Sequence, residues 1–217
     1  MSAAPVLQVS GLVFGHAGEA PMFSDWAVSL GAGLHRLDGE SGSGKTTLLR
    51  LLAAELVSPA TAGGLLRLNG LDASADGPAW RSAVCWVDAR DEAFDDLTPA
   101  ALRELLACRH PQLDRAAWQR QIDGFGLAPH AAKTMHMLST GMRRKAALAA
   151  VLSSGAALML LDEPLAGLDA PAVAWLVAEL CAWSRQPQRA ALIVSGAWPP
   201  GLPCAGTLVL PTAPAPG

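Results

Sequence analysis

Gly39-Glu40-Ser41-Gly42-Ser43-Gly44-Lys45-Thr46-Thr47 fits the spacing G-x-x-x-x-G-K-[ST] at every fixed position. Glycines let the backbone wrap tightly around an anion, so that successive N–H groups point at phosphate oxygens. Lys45 brings a cation toward the β- and γ-phosphates, and the Thr46 hydroxyl is placed to help hold a magnesium ion. All nine residues are therefore expected to line a nucleoside triphosphate site. The setting agrees. Gly33-Leu34-His35-Arg36-Leu37-Asp38, just upstream, is short and partly apolar and reads as a strand. Leu48 to Leu56, just downstream, holds strong helix formers with no breaker before Pro59. The N-terminus of that helix adds its dipole and free N–H groups to the anion site.

Working outward, further strands are expected at Val6–Val13, Trp26–Leu30, Leu65–Asn69, Ser82–Val87, Ala156–Leu161, Ala190–Val194 and Thr207–Leu210. Ala62-Gly63-Gly64 reads as a turn. Helices are expected at Ala100–Cys108, at Asp114–Phe125, after Gly141 and at Ala172–Trp183. Strands separated by helices predict an α/β fold with a mostly parallel sheet covered on both faces. Ligands of such sheets sit beyond the carboxyl ends of the strands. The glycine loop and the pair Asp162-Glu163 both begin where a strand is expected to end, so the two are predicted to meet. Asp162 is placed to hold magnesium through water, and Glu163 to polarise a water for attack on the γ-phosphate.

Composition narrows the function classes. The chain has 217 residues, 51% hydrophobic, with a formal net charge of −3, which is globular and gives no support for a nucleic-acid partner. Arg143-Arg144-Lys145 reads as a solvated helix face. No apolar run approaches the roughly 20 residues that span a bilayer, and the N-terminal residues lack the pattern of a signal peptide. Cys85, Cys108, Cys181 and Cys204 lie far apart, as reduced thiols of a cytoplasmic protein rather than a disulfide or zinc framework. The stretch 211–217 is rich in proline and reads as a flexible tail.

Leu138-Ser139-Thr140-Gly141-Met142 precedes the acidic strand and resembles the signature L-S-G-G-Q of the ATP-binding cassette family, matching at Leu138, Ser139 and Gly141. The order of glycine loop, helical stretch, signature and acidic strand is similar to that family over most of the chain, as is Pro164-Leu165-Ala166-Gly167-Leu168-Asp169 after the acidic pair. The resemblance implies a P-loop NTPase core with a mostly parallel sheet, an N-terminal antiparallel β portion and an inserted helical subdomain at about 97–150. These would make one nucleotide-binding domain spanning 1–210. It implies ATP and Mg2+ as cofactors, and Phe14 as an aromatic stacked on adenine. It implies a head-to-tail homodimer or heterodimer in which Ser139 and Gly141 touch the γ-phosphate of ATP held by the other chain. It also implies an integral membrane transporter subunit as partner, contacted through the helical stretch, with the chain at the cytoplasmic face of a membrane. The small size is similar to compact export-type members such as the haem-exporter subunit of cytochrome c maturation. A small-molecule kinase, the other phosphate-loop class considered, needs neither Leu138–Gly141 nor Leu165–Asp169.

Two residues of the family pattern are absent. Ala89 stands where a glutamine senses magnesium and the attacking water, and no glutamine occurs between Gln8 and Gln112. Gly196 stands where a histidine bonds the γ-phosphate, and the last histidine of the chain is His136. Asp88 or Asp91 is the candidate substitute for the first, and Ser195 for the second. Loss of one transition-state donor commonly costs on the order of 10² to 10³ in rate, so hydrolysis is expected to be slow or partner-dependent. The alternative is a degenerate ATP-binding module that regulates or scaffolds with little turnover.

Overall fold

The computed structural model describes residues 4–15, 21–56 and 64–210. Part of the expected Ala62–Gly64 turn and the whole 211–217 segment lie outside the described residues.

An antiparallel sheet holds β1 (Leu7–Phe14), β2 (Phe23–Leu30), β4 (Leu65–Leu68) and β5 (Leu71–Asp72) in the order β2-β1-β4-β5. A parallel sheet holds β3 (Gly33–Asp38), β6 (Val84–Cys85), β7 (Leu158–Asp162), β8 (Ala190–Val194) and β9 (Gly206–Val209) in the order β6-β7-β8-β3-β9. The helices are α1 (Lys45–Leu52), α2 (Gly77–Ala83), α3 (Pro99–Arg109), α4 (Arg115–Gly124), α5 (Thr140–Ser153) and α6 (Ala170–Trp183). This is the expected mixed α/β architecture, with its parallel sheet and its antiparallel N-terminal portion.

The parallel strands are apolar on both faces because both faces are covered. On β7, Leu158 and Leu160 pack with Leu48, Leu49 and Leu52 of α1 and with Leu7 and Val9 of the antiparallel sheet. The alternate residues Met159 and Leu161 pack with Leu102 of α3, Ile122 of α4, Leu148 of α5 and Leu176 of α6. Each such leucine, fully buried, contributes about 1.5–3 kcal/mol. Two cores thus clamp one sheet from opposite sides, and the carboxyl ends of β3, β7 and β8 are fixed at one edge. Among the described residues, no helix is long and apolar enough to cross a membrane.

Two expectations fail. The strand expected at Ser82–Val87 is confined to Val84–Cys85, because Ser82 and Ala83 belong to the end of α2, whose indole Trp80 is buried. The helix expected to run to Leu56 stops at Leu52. Its last carbonyls take donors from elsewhere: Trp80 Nε1 donates to Leu52 O and Arg109 Nη2 to Ala53 O, each at 2.9 Å. Ala54 then turns left-handed, at φ 56°.

Candidate functional site

β3 delivers the chain to the glycine loop at Gly39. Gly39, Gly42 and Gly44 have φ of 149°, 81° and 90°, backbone that residues with a Cβ rarely adopt. At Gly39 the space is also closed: a Cβ there would lie 2.6 Å from Ser43 Oγ. Gly44 caps α1 with no side-chain partner for the helix N-terminus, so the first-turn amides remain for an anion. Glu40, Ser41 and Gly42 are exposed, and Thr46 and Thr47 are half-buried in the first turn of α1.

Lys45 Nζ donates to the carbonyls of Gly39 and Glu40, both at 2.7 Å, folding the loop around its own ammonium. Ser43 is 4% exposed, and its Oγ has no hydrogen-bond partner among the described residues. An orphaned hydroxyl inside a glycine cradle, beside a cation and free amides, fits a phosphate ligand.

The acidic pair comes to the same place. Thr46 Oγ1 donates to Asp162 Oδ2 at 2.7 Å, although 116 residues separate them. One hydroxyl and one carboxylate, completed by phosphate oxygens and water, are the kind of ligand set magnesium takes. Thr46 and Asp162 would hold such an ion, which would neutralise phosphate charge there. Glu163 is exposed and left-handed, with φ 46°, a conformation that costs of order 1–3 kcal/mol and persists where surroundings enforce it. Its N–H donates to Val194 O at 2.8 Å, and its carboxylate accepts from Gly196 N at 3.1 and 3.3 Å. Gly196, the position that lacks a histidine, therefore orients the candidate base through its backbone.

Ser195 does not substitute for that histidine: it is 6% exposed and its Oγ donates to Ala197 O at 2.7 Å. Asp91 is also committed, accepting from Ala93 N at 2.9 Å as the cap of a short 3-10 turn. Asp88 lines a cleft with Ala89, Arg90, Asp162 and Glu163, and it grips Arg90. Burial pushes the Asp88 carboxyl up, but the hydrogen bonds and charge of Arg90 outweigh it and hold the group below the usual carboxylate range.

Phe14 is corrected as well. It ends β1 on the inward face, is 3% exposed, and its ring centroid lies 6.5 Å from that of Phe23. A ring enclosed in the core offers no open face to adenine.

Ser139 is exposed and caps α5, its Oγ accepting from Met142 N at 3.3 Å. Gly141 packs so closely on the segment after the acidic pair that a Cβ would lie 2.7 Å from Gly167 O. The basic run beyond it is no solvated face. Arg143 Nε donates to Ala89 O at 3.1 Å, Arg144 Nη1 to Glu163 O at 2.9 Å, and Lys145 pairs with Asp169 at 3.0 Å. Helix α5 is thereby fastened to both loops that flank the cleft. The sequence displayed this charge run but not its partners, which lie 19 to 54 residues away.

The loop, the acidic pair and the signature helix thus share one edge of the sheet, and known proteins share the pattern. The family model for ABC transporter matches residues 27–166. The chain is 36% identical over 175 residues to a protein of Pseudomonas savastanoi pv. phaseolicola named "Cytochrome c biogenesis ATP-binding export protein CcmA", covering 80% of each. It is 36% identical over 146 residues to "Molybdenum import ATP-binding protein ModC" of Albidiferax ferrireducens, covering 65% of this chain and 39% of that protein. A solved structure described as "Structure of ATP binding subunit of ABC transporter" superposes with a TM-score of 0.82 over 94% of this chain and 85% of that one, at 19% identity, a likeness of fold. With a cradle for phosphate built from its own residues and relatives of this kind, the chain belongs to the ABC transporter family, as an ATP-binding subunit with ATPase activity.

Proposed function

We propose that two ATP-binding subunits close head to tail on ATP and Mg2+, and that reopening after hydrolysis moves a separate integral membrane subunit. The observation that carries this reading is the 2.7 Å bond between Thr46 and Asp162, which joins the glycine loop to the acidic strand at one point. Lys45, Ser43 and the amides of the loop bind the phosphates; Thr46 and Asp162 hold the magnesium; Glu163, set by Gly196, takes the proton of the attacking water. Ser139 is exposed at a helix start, as a group that closes on a partner's γ-phosphate must be.

The helical layer built from about 97–150 is the subdomain that meets the membrane subunit, with the chain at the cytoplasmic face. A groove between it and the nucleotide core supports this docking, lined by the apolar Phe94, Leu105 and Leu106 and by the charged Glu55, Asp91 and Arg109. Leu105 is 50% exposed, which suits a surface awaiting a partner. The match to the cytochrome c biogenesis export relative extends over 80% of this chain, against 65% for the molybdenum import relative, which supports an export-type reading.

A second reading, an ATP-binding regulatory module with little turnover, is favoured by the same two positions that slow the first. Neither Ala89 nor Gly196 has a polar side chain; the Ala89 carbonyl is taken by Arg143 and the Gly196 N–H by Glu163. The association step is tested by size-exclusion chromatography of the Glu163→Gln chain with ATP and Mg2+. The apparent mass is expected to double, and Lys45→Ala in the same background is expected to remain single. Equal dimerisation of both would mean that nucleotide does not drive closure.

A further inference from the structure

Arg90 follows directly on the alanine that replaces the family's glutamine, and its guanidinium is not left to wander. Asp88 Oδ1 accepts from Arg90 N at 2.9 Å and from Nε at 3.0 Å, and Asp88 Oδ2 accepts from Nη2 at 3.2 Å. Backbone and side chain together hold the fork in one orientation, while no described residue takes a hydrogen bond from its Nη1 amino group. The Arg90 side chain is 64% exposed, so it is aimed without being sealed off. Arg90, Asp162 and Glu163 line one cleft. The charge of Asp162 is felt at Arg90, adding to that of Asp88 in keeping the guanidinium protonated.

A bound triphosphate adds its own negative charge to a cleft that already holds three carboxylates, Asp88, Asp162 and Glu163. Arg144, the other arginine on this lining, is tied by its Nη1 to the carbonyls of Glu163 and Ala166, and no carboxylate orients its fork as Asp88 orients that of Arg90. Preorganised arginines are a common means of stabilising charge on a transferring phosphoryl group, because the fork matches two phosphate oxygens and needs no reorganisation. We propose that Arg90, poised by Asp88, contacts the γ-phosphate in this site and replaces the neutral donors absent at Ala89 and Gly196 with a cation.

The inference rests on the nucleotide site described above, and its test separates the two. ATP and ADP affinities are measured by titration calorimetry with Mg2+ in the Glu163→Gln background, so that hydrolysis does not intervene. Arg90→Ala is expected to weaken ATP about ten- to hundredfold, the worth of one charge-assisted hydrogen bond, and to leave ADP unchanged. Arg90→Lys, which keeps the charge and loses the fork, is expected to fall between. ATP and ADP affinities that both hold, or that fall together, would overturn the proposal. Lys45→Ala is the control: it weakens both nucleotides if the glycine loop is the site. If it weakens neither, the site assignment fails, and the proposal falls with it.

Discussion

At the glycine loop, everything a phosphate needs is contributed twice over, by backbone and by side chain. Three left-handed glycines open the amides, Lys45 and Thr46 converge on them, and Asp162 arrives at 2.7 Å. Across the cleft, at Asp88–Arg90 and Ser195–Gly196, the scaffold is equally firm and the chemistry is different. Ala89 gives a carbonyl to Arg143, Gly196 gives an N–H to Glu163, and Arg90, held by Asp88, brings a guanidinium to the cleft. Both regions cap the same parallel sheet over the same two cores. The contrast teaches that the fold holds loops in place without fixing what they carry. Grip on the nucleotide and stabilisation of the transferred phosphoryl are separable properties of one sheet edge.

Glu163→Gln makes the deepest cut between the two. It keeps the size and the Gly196 contact but removes the proton acceptor, so steady-state ATP turnover should fall about 10²- to 10⁴-fold with little change in ATP affinity. Turnover that is already near the Glu163→Gln level in the unmodified chain, and stays there with a membrane partner present, would favour the regulatory module. Fast turnover by the isolated chain would show instead that the altered half is no handicap.

Gly141→Ala tests the strut between the halves. Its Cβ would meet the Gly167 carbonyl at 2.7 Å, and that atom is backbone and does not swing aside. Forcing a methyl group into such a contact costs about 1–3 kcal/mol. The urea midpoint should drop accordingly, and ATP-driven dimerisation should weaken because Ser139 and the segment around Gly167 shift together. An unchanged midpoint would mean that the two segments part easily, and that the signature glycine answers only to the partner chain.

The glycine loop was legible because its chemistry is local: spacing, glycine and lysine lie within nine residues, and flanking strand and helix signals agree. The acidic strand was legible for a similar reason, an apolar run ending in two carboxylates. What escaped was settled by distant partners. Phe14 has the residue type of a stacking aromatic, but the pleat of β1 turns it inward onto Phe23. Arg143-Arg144-Lys145 reads as solvated because a charge run does not announce that Ala89, Glu163 and Asp169 fold against it. Helix α2 was missed because it is seven residues long and opens on Gly77-Pro78, which reads as a turn.

The smallest effect belongs to neither half, and that is its use. Among the described residues no histidine lines the cleft, and the two buried histidines with shifted pKa values lie in the scaffold. His35 and His110 are 5% and 1% exposed, and their rings bond the carbonyls of Gly31 and Ser82, each at 2.9 Å. Burial lowers both pKa values below the ordinary 6.5, partly opposed by those carbonyls; at His110 the Arg109 charge lowers it further. The folded chain therefore keeps both rings neutral at a pH where the unfolded chain protonates them. Between the folded value and about 6.5 the unfolded state binds more protons, so stability rises with pH and is lost on acidification through that window. Each histidine contributes a slope of at most about 1.4 kcal/mol per pH unit. Urea midpoints measured from pH 7.5 to pH 5.5 should decline, and His110→Gln should flatten the decline while leaving ATP affinity at pH 7.5 unchanged. A decline that keeps its slope in that variant would move the response away from His110. A loss of ATP affinity in it would join α3 and the nucleotide site, and blur the boundary between scaffold and chemistry on which the contrast rests.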